Sequence, residues 1–87
     1  MKIRKELVKR EIAGDTVLVP VGKSILEDNG LYALNPIASF IWDILEEAEN
    51  EEDIVKAILD KYDIDEATAS SDTHEFINKL KELKILE

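Results

Sequence analysis

The sequence contains no cysteine, so neither a disulfide framework nor a zinc–thiolate site is open to it. Histidine occurs once, as His74, and no Ser–Asp arrangement lies near it to form a triad. Glycine is sparse, with three residues, and no glycine-rich segment could cradle a phosphate. No hydrophobic run resembles a signal peptide or a membrane span, which makes the cytoplasm the expected compartment. Positive charge is short as well: 11 Lys and Arg stand against 20 Asp and Glu, for a net charge of −9. Most of the excess acid lies after residue 24, where five basic residues face seventeen acidic ones. Such a field repels phosphate backbones and attracts basic peptides or basic protein surfaces. The plainer reading is that the acid keeps helices soluble.

With 45% apolar and 36% charged residues in 87, the chain reads as one folded domain over 1–87. It is organised around Leu34-Asn35-Pro36-Ile37-Ala38-Ser39-Phe40-Ile41-Trp42-Asp43-Ile44-Leu45. Asn35 reads as a helix N-cap and Pro36 as the first helical residue, where a missing N–H costs nothing. Behind them Ile37, Ile41, Ile44 and Ala48 form one stripe, and Ala38, Trp42 and Leu45 its neighbour. Apolar on nearly every side, this helix is expected at the centre of the core, with Trp42 inside.

The first third reads as β. Leu7 to Ile12 and Val17 to Val21 are strand-like, and Ala13-Gly14-Asp15-Thr16 offers a Gly-X turn between them. Pro20 belongs at a strand end or on an open side, because it cannot donate to a ladder. Asn29-Gly30 suits a type I′ turn, and Leu31 to Leu34 then forms a short third strand at the sheet edge. Two more helices follow. One runs from Asn50, its cap, through Ile54, Val55, Ile58, Leu59 and Tyr62. The other is capped by Asp65, with a stripe of Ala69, Thr73, Phe76, Leu80 and Leu83, and Ile77 beside it. Lys84-Ile85-Leu86 is expected to pack back on the core. The predicted fold is α+β and winged-helix-like: a three-stranded antiparallel sheet followed by three helices.

Chemistry is hard to find in these residues. His74 reads as a surface histidine. Asp63-Ile64-Asp65-Glu66 lacks the glycine and terminal glutamate of a calcium loop. An acyl carrier function would need a serine after an aspartate at a helix start, whereas Ser70-Ser71-Asp72 has the reverse order inside the third helix. The chain is therefore read as no enzyme, with no metal and no cofactor. Binding remains, because a three-stranded sheet in so small a domain leaves an edge that can accept an extended peptide as a further strand.

The run Gly30-Leu31-Tyr32-Ala33-Leu34-Asn35-Pro36-Ile37-Ala38-Ser39-Phe40-Ile41-Trp42-Asp43-Ile44-Leu45 resembles the pyrroloquinoline quinone biosynthesis protein D (PqqD) family. The likeness continues through Ile54-Val55, Tyr62-Asp63-Ile64-Asp65, and Asp72 with Phe76 and Leu80. It spans about Val8 to Leu86, and the order and spacing of these pieces carry it more than any single motif.

The resemblance implies a stand-alone recognition element for ribosomally synthesised and post-translationally modified peptides. Such a domain is a peptide chaperone for natural product biosynthesis. It would bind the leader of a precursor by adding it as a strand, then present it to a radical S-adenosylmethionine (SAM) enzyme or a leader peptidase. The matching positions are Leu31, Tyr32, Ala33 and Leu34 on the strand, and Asp72, Thr73, Phe76, Ile77, Leu80 and Lys81 on the third helix. Among these, Tyr32, Ile77 and Lys81 are expected to face the peptide, and Leu34, Phe76 and Leu80 to face the core. Two positions depart from the family: Lys84 stands where a glycine is usual after the third helix, and the linker Glu46 to Glu52 lacks a frequent glycine. Two other functions compete. A winged-helix nucleic-acid-binding module would need a basic helix, yet residues 65–83 carry two lysines against five acids. A structural subunit could instead form a homodimer through a sheet edge.

Overall fold

The computed structural model describes residues 1–4, 6–22 and 32–87. Strands β1 (Leu7–Ile12) and β2 (Asp15–Pro20) form an antiparallel hairpin, and β3 (Tyr32–Leu34) pairs antiparallel with β2, giving the order β1-β2-β3. The turn Asn29-Gly30 and residue Leu31 lie outside the described residues.

The hairpin turn differs from the Gly-X form read from the sequence. Ile12 pairs with Asp15 across a two-residue loop, and both loop residues have positive φ, 53° at Ala13 and 85° at Gly14. Those are type I′ angles, whose twist matches that of the strands. Closure on two residues also starts β2 at Asp15, two residues before the predicted Val17.

This turn sets which backbone groups face which way. Opposed residues in an antiparallel pair alternate between exchanging both hydrogen bonds and exchanging none. The Val21 amide donates to the Glu6 carbonyl at 2.9 Å, so Glu6–Val21 is a bonded pair, and the register carries the alternation to Val8–Val19, Arg10–Val17 and Ile12–Asp15. Thr16, Leu18 and Pro20 therefore turn towards β3. Pro20, at the end of β2, lies on the side away from the β1 ladder, so its missing N–H costs the β1–β2 pairing no hydrogen bond. That is how a central strand tolerates a proline.

Three helices complete the chain: α1 (Pro36–Ile44), α2 (Glu51–Lys61) and α3 (Glu66–Glu82). Each starts at the side-chain cap read from the sequence. Asn35 Oδ1 accepts from the Ala38 amide at 2.8 Å, Asn50 Oδ1 from Asp53 at 3.0 Å, and Asp65 Oδ1 from Thr68 at 3.0 Å. The Thr68 hydroxyl and amide, donating to Asp65, hold its carboxyl below the usual range.

α3 ends in a Schellman motif. The Ile85 amide donates to the Leu80 carbonyl at 2.9 Å and the Lys84 amide to Lys81 at 3.1 Å, with Lys84 at φ 60°. This is the left-handed position that usually takes glycine, and a lysine holds it here. The motif reverses the chain so that Ile85 and Leu86 bury themselves. Leu86 then bridges to Ile3, and the Arg4 amide donates to the Ile85 carbonyl at 2.7 Å.

The core lies among the helices. Ile41, Leu45, Ile54, Ile58, Ala69, Ile77 and Ile85 are fully buried. α1 meets α2, α3 and β3, yet within Pro36–Ile44 only Ile41 is fully buried. Ile37, Phe40, Trp42 and Ile44 are half-buried against the core. The central helix of the sequence reading is thus a layer between core and surface, and Trp42 belongs to its outer side. Phe40 meets the Tyr62 ring edge-on at 5.6 Å between centroids. Lys9 Nζ ties β1 to α1, donating to Ser39 Oγ at 2.9 Å and Asp43 Oδ2 at 2.7 Å.

Two outcomes in chemical denaturation are expected. Ile41→Ala costs about 3 kcal/mol, while Trp42→Ala costs less, about 2 kcal/mol, because part of its ring is already exposed in the folded chain. Lys84→Gly stabilises by about 1 kcal/mol, since it removes the Cβ penalty of the left-handed conformation.

Candidate functional site

Two walls and a floor enclose a groove of about 220 Å³. Tyr32, Ala33 and Leu34 of β3 form one wall, and Leu18 of β2 lies at its base. The start of α1 contributes Asn35, Ile37, Ala38 and Ile41. The opposite wall is a single face of α3: Asp72, Glu75, Phe76, Lys79, Leu80 and Leu83.

The strand wall offers backbone as well as side chains. The bonded pairs Leu18–Tyr32 and Thr16–Leu34 direct the backbone groups of Tyr32 and Leu34 into the sheet. Ala33, opposite Val17, has its N–H and C=O on the outer side. No strand pairs with that side among the described residues. Ala33 is exposed, whereas Tyr32 and Leu34 are half-buried, in keeping with the alternation of a strand.

On α3 the core face and the groove face are adjacent stripes, about 100° apart on the wheel. Ala69, Thr73, Ile77 and Leu80 are buried; Asp72, Phe76, Lys79 and Leu83 lie one residue out of step and reach the groove. Leu80 is shared by both. Six positions read from the sequence therefore meet here: Tyr32, Ala33, Leu34, Asp72, Phe76 and Leu80. Three do not. Thr73 and Ile77 are fully buried, and Lys81 is exposed outside the groove lining. Leu31 lies outside the described residues. The sequence reading placed Phe76 inside and Ile77 at the flank, and the structure reverses them. Two adjacent apolar residues fit either stripe, and only the packing of α3 on α2 decides between them. The Thr73 hydroxyl has no hydrogen-bond partner among the described residues, a polar group in a position that the helix gives to the core.

On α3 sequence reasoning missed Glu75, Lys79 and Leu83 as part of this lining, although the spacing 72, 75, 76, 79, 83 is itself helical, and it also missed Leu18 of β2 and Asn35, Ile37, Ala38 and Ile41 at the start of α1. Leu83 was assigned to the core stripe. None of Asp72, Glu75 and Lys79 has an ion-pair partner among the described residues. The groove is thus a trough of mainly apolar side chains that exposes polar surface in similar amount, with two carboxylates and one ammonium on its helical rim. His74, on another face, donates from Nδ1 to Glu51 Oε1 and accepts at Nε2 from Asn78 Nδ2, each at 3.1 Å, and links α2 to α3. Among the described residues no group of His, Asp and Glu could hold a metal ion, and no helix is long and apolar enough to cross a membrane. An outward strand edge above such a trough suits an extended chain, held by its backbone and by alternate side chains.

Comparison with known proteins points the same way. The profile of the family Coenzyme PQQ synthesis protein D (PqqD) matches residues 15–86. Among solved structures, TbiB1 in complex with the TbiA(beta) leader peptide aligns with a TM-score of 0.74 and 32% identity, over 100% of this chain and 95% of that one. No curated protein matches the chain.

The two stripes of α3 separate in mutagenesis. Ile77→Ala costs about 3 kcal/mol in denaturant unfolding, and Phe76→Ala costs less, about 1–2 kcal/mol, because its ring is only partly buried. Equal losses would place both residues in the core.

Proposed function

Because the chain belongs to the Coenzyme PQQ synthesis protein D family, we propose that it captures the leader segment of a ribosomally made precursor peptide. The leader pairs as a fourth strand along Ala33 and seats alternate side chains in the groove before α3. The observation that carries this reading is the outward backbone of β3 above the trough. The likeness to TbiB1, solved with a leader peptide, supports it. Once bound, the leader is presented to a modifying enzyme, a radical SAM protein or a leader peptidase, as family membership suggests.

Backbone pairing supplies affinity that does not depend on leader sequence, and the trough supplies selectivity. Ala33 has the smallest side chain able to keep a strand, so an incoming backbone meets little obstruction at the one outward position. Tyr32 and Leu34 flank the added strand, and Phe76 and Leu80 meet its inward side chains. Asp72 and Glu75 favour a basic residue on the leader, and the net charge of −9 favours a basic leader as a whole. Both attractions weaken as salt rises.

Proline scanning of the strand tests the mechanism. Ala33→Pro removes the outward N–H and places a ring in the path of the leader. Leader affinity is expected to fall at least about tenfold, the loss that one hydrogen bond near 1.4 kcal/mol gives, with the fold retained. Tyr32→Pro instead removes a bond within the β2–β3 ladder and lowers stability. Fluorescence titration with a labelled leader reads the first, and circular dichroism melts read the second. A folded Ala33→Pro protein that binds like wild type would sink strand addition.

A further inference from the structure

The sheet has a second edge, and its chemistry differs from that of β3. β1 is six residues long, and no strand lies along its outer side among the described residues. With Val8, Arg10 and Ile12 bonded to β2, the outward backbone groups belong to Leu7, Lys9 and Glu11. Ile12, at the end of this strand, is the large hydrophobic residue left exposed among the described residues, at 49%. No described residue covers it.

We propose that two copies of this chain pair antiparallel through their β1 edges, with the two-fold axis at Arg10. An added strand must oppose outward residues with outward residues, which restricts the axis to a few positions. Centred on Lys9, the pairing sets lysine against lysine and Leu7 against Glu11. Centred on Glu11, it sets glutamate against glutamate. Centred on Arg10, Lys9 opposes Glu11 of the second copy twice over, and Val8 opposes Ile12 twice over. Opposite charges then meet on one face and apolar residues on the other. The exposed Ile12 gains cover. Lys9, already held by Asp43 at 2.7 Å, is positioned on the sheet face where the second copy's Glu11 arrives. The cost is one Arg10–Arg10 pair at the axis, on a face where both side chains can splay into water.

The assembly is a six-stranded sheet with β3 at both ends. Two peptide edges then lie about 24 Å apart, five strand spacings, and point away from each other. Self-association at β1 leaves the proposed leader site untouched, so the two readings stand or fall separately.

Sedimentation equilibrium of the 87-residue chain from micromolar to millimolar concentration tests the pairing. Wild type is expected to form a dimer. Glu11→Lys, at an exposed position, is expected to weaken it by about tenfold by placing like charges opposite each other twice. Arg10→Thr tightens it by removing the axial repulsion. Lys9→Glu alone also weakens it, whereas an equimolar mixture of Lys9→Glu with Glu11→Lys forms a dimer again, since opposite charges meet at both positions. Circular dichroism checks that each variant is folded. A wild-type chain that stays monomeric throughout the range overturns the proposal, as does a dimer indifferent to Glu11→Lys and Arg10→Thr. Leader titration of Glu11→Lys reads the β3 site independently and is expected to match wild type.

Discussion

A two-residue turn at Ala13–Gly14 leaves one way for β1 and β2 to pair, and the alternation of their hydrogen bonds runs through the sheet from there. It decides that Pro20 can occupy the central strand without breaking the β1–β2 ladder. It decides that Ala33, and not Tyr32 or Leu34, carries the outward backbone of β3. It also decides which residues of β1 face outwards. A slip of one residue would invert all of these and turn the inward side chains to solvent.

The helical layer depends on its ends. Asn35, Asn50 and Asp65 supply the side-chain caps, and each satisfies an amide that the first helical turn leaves free. At the far end of α3, Lys84 adopts the conformation of a glycine because the reversal it permits buries Ile85 and Leu86. Closing the chain against Ile3 outweighs local backbone strain of about 1 kcal/mol. A backbone rule is broken at one exposed residue, and two apolar side chains enter the core as a result.

Groove and core share α3 without sharing residues, Leu80 excepted. One stripe holds the core through Ala69, Thr73 and Ile77; the next lines the groove through Asp72, Phe76 and Lys79. Residues lining the groove can therefore differ without opening the core. On the strand side, the outward backbone groups of Ala33 are ones that any sequence with the right register would offer.

By itself the sequence determined the order of elements, the three caps, the strand–helix joint at Leu34-Asn35-Pro36 and the resemblance to the PqqD family. All of these rest on local chemistry: a cap accepts from an amide three residues away, and a proline restricts its own neighbours. Six of the groove's positions are named through the resemblance to the PqqD family, and periodicity assigns Leu34, Phe76 and Leu80 among them to the core. Periodicity does not say which face of a helix the rest of the chain will cover. Phe76 and Ile77 are both apolar and adjacent, and so are Ile41 and Trp42. The tertiary structure alone decided that Ile77 and Ile41 are inside while Phe76 looks into the groove and Trp42 lies on the outer side. The reason is that burial follows the neighbour a face meets, not the residue: Ile41 and Ile77 join the cluster with Ile85 and Leu86, whereas Phe76 and Trp42 pack at its margin.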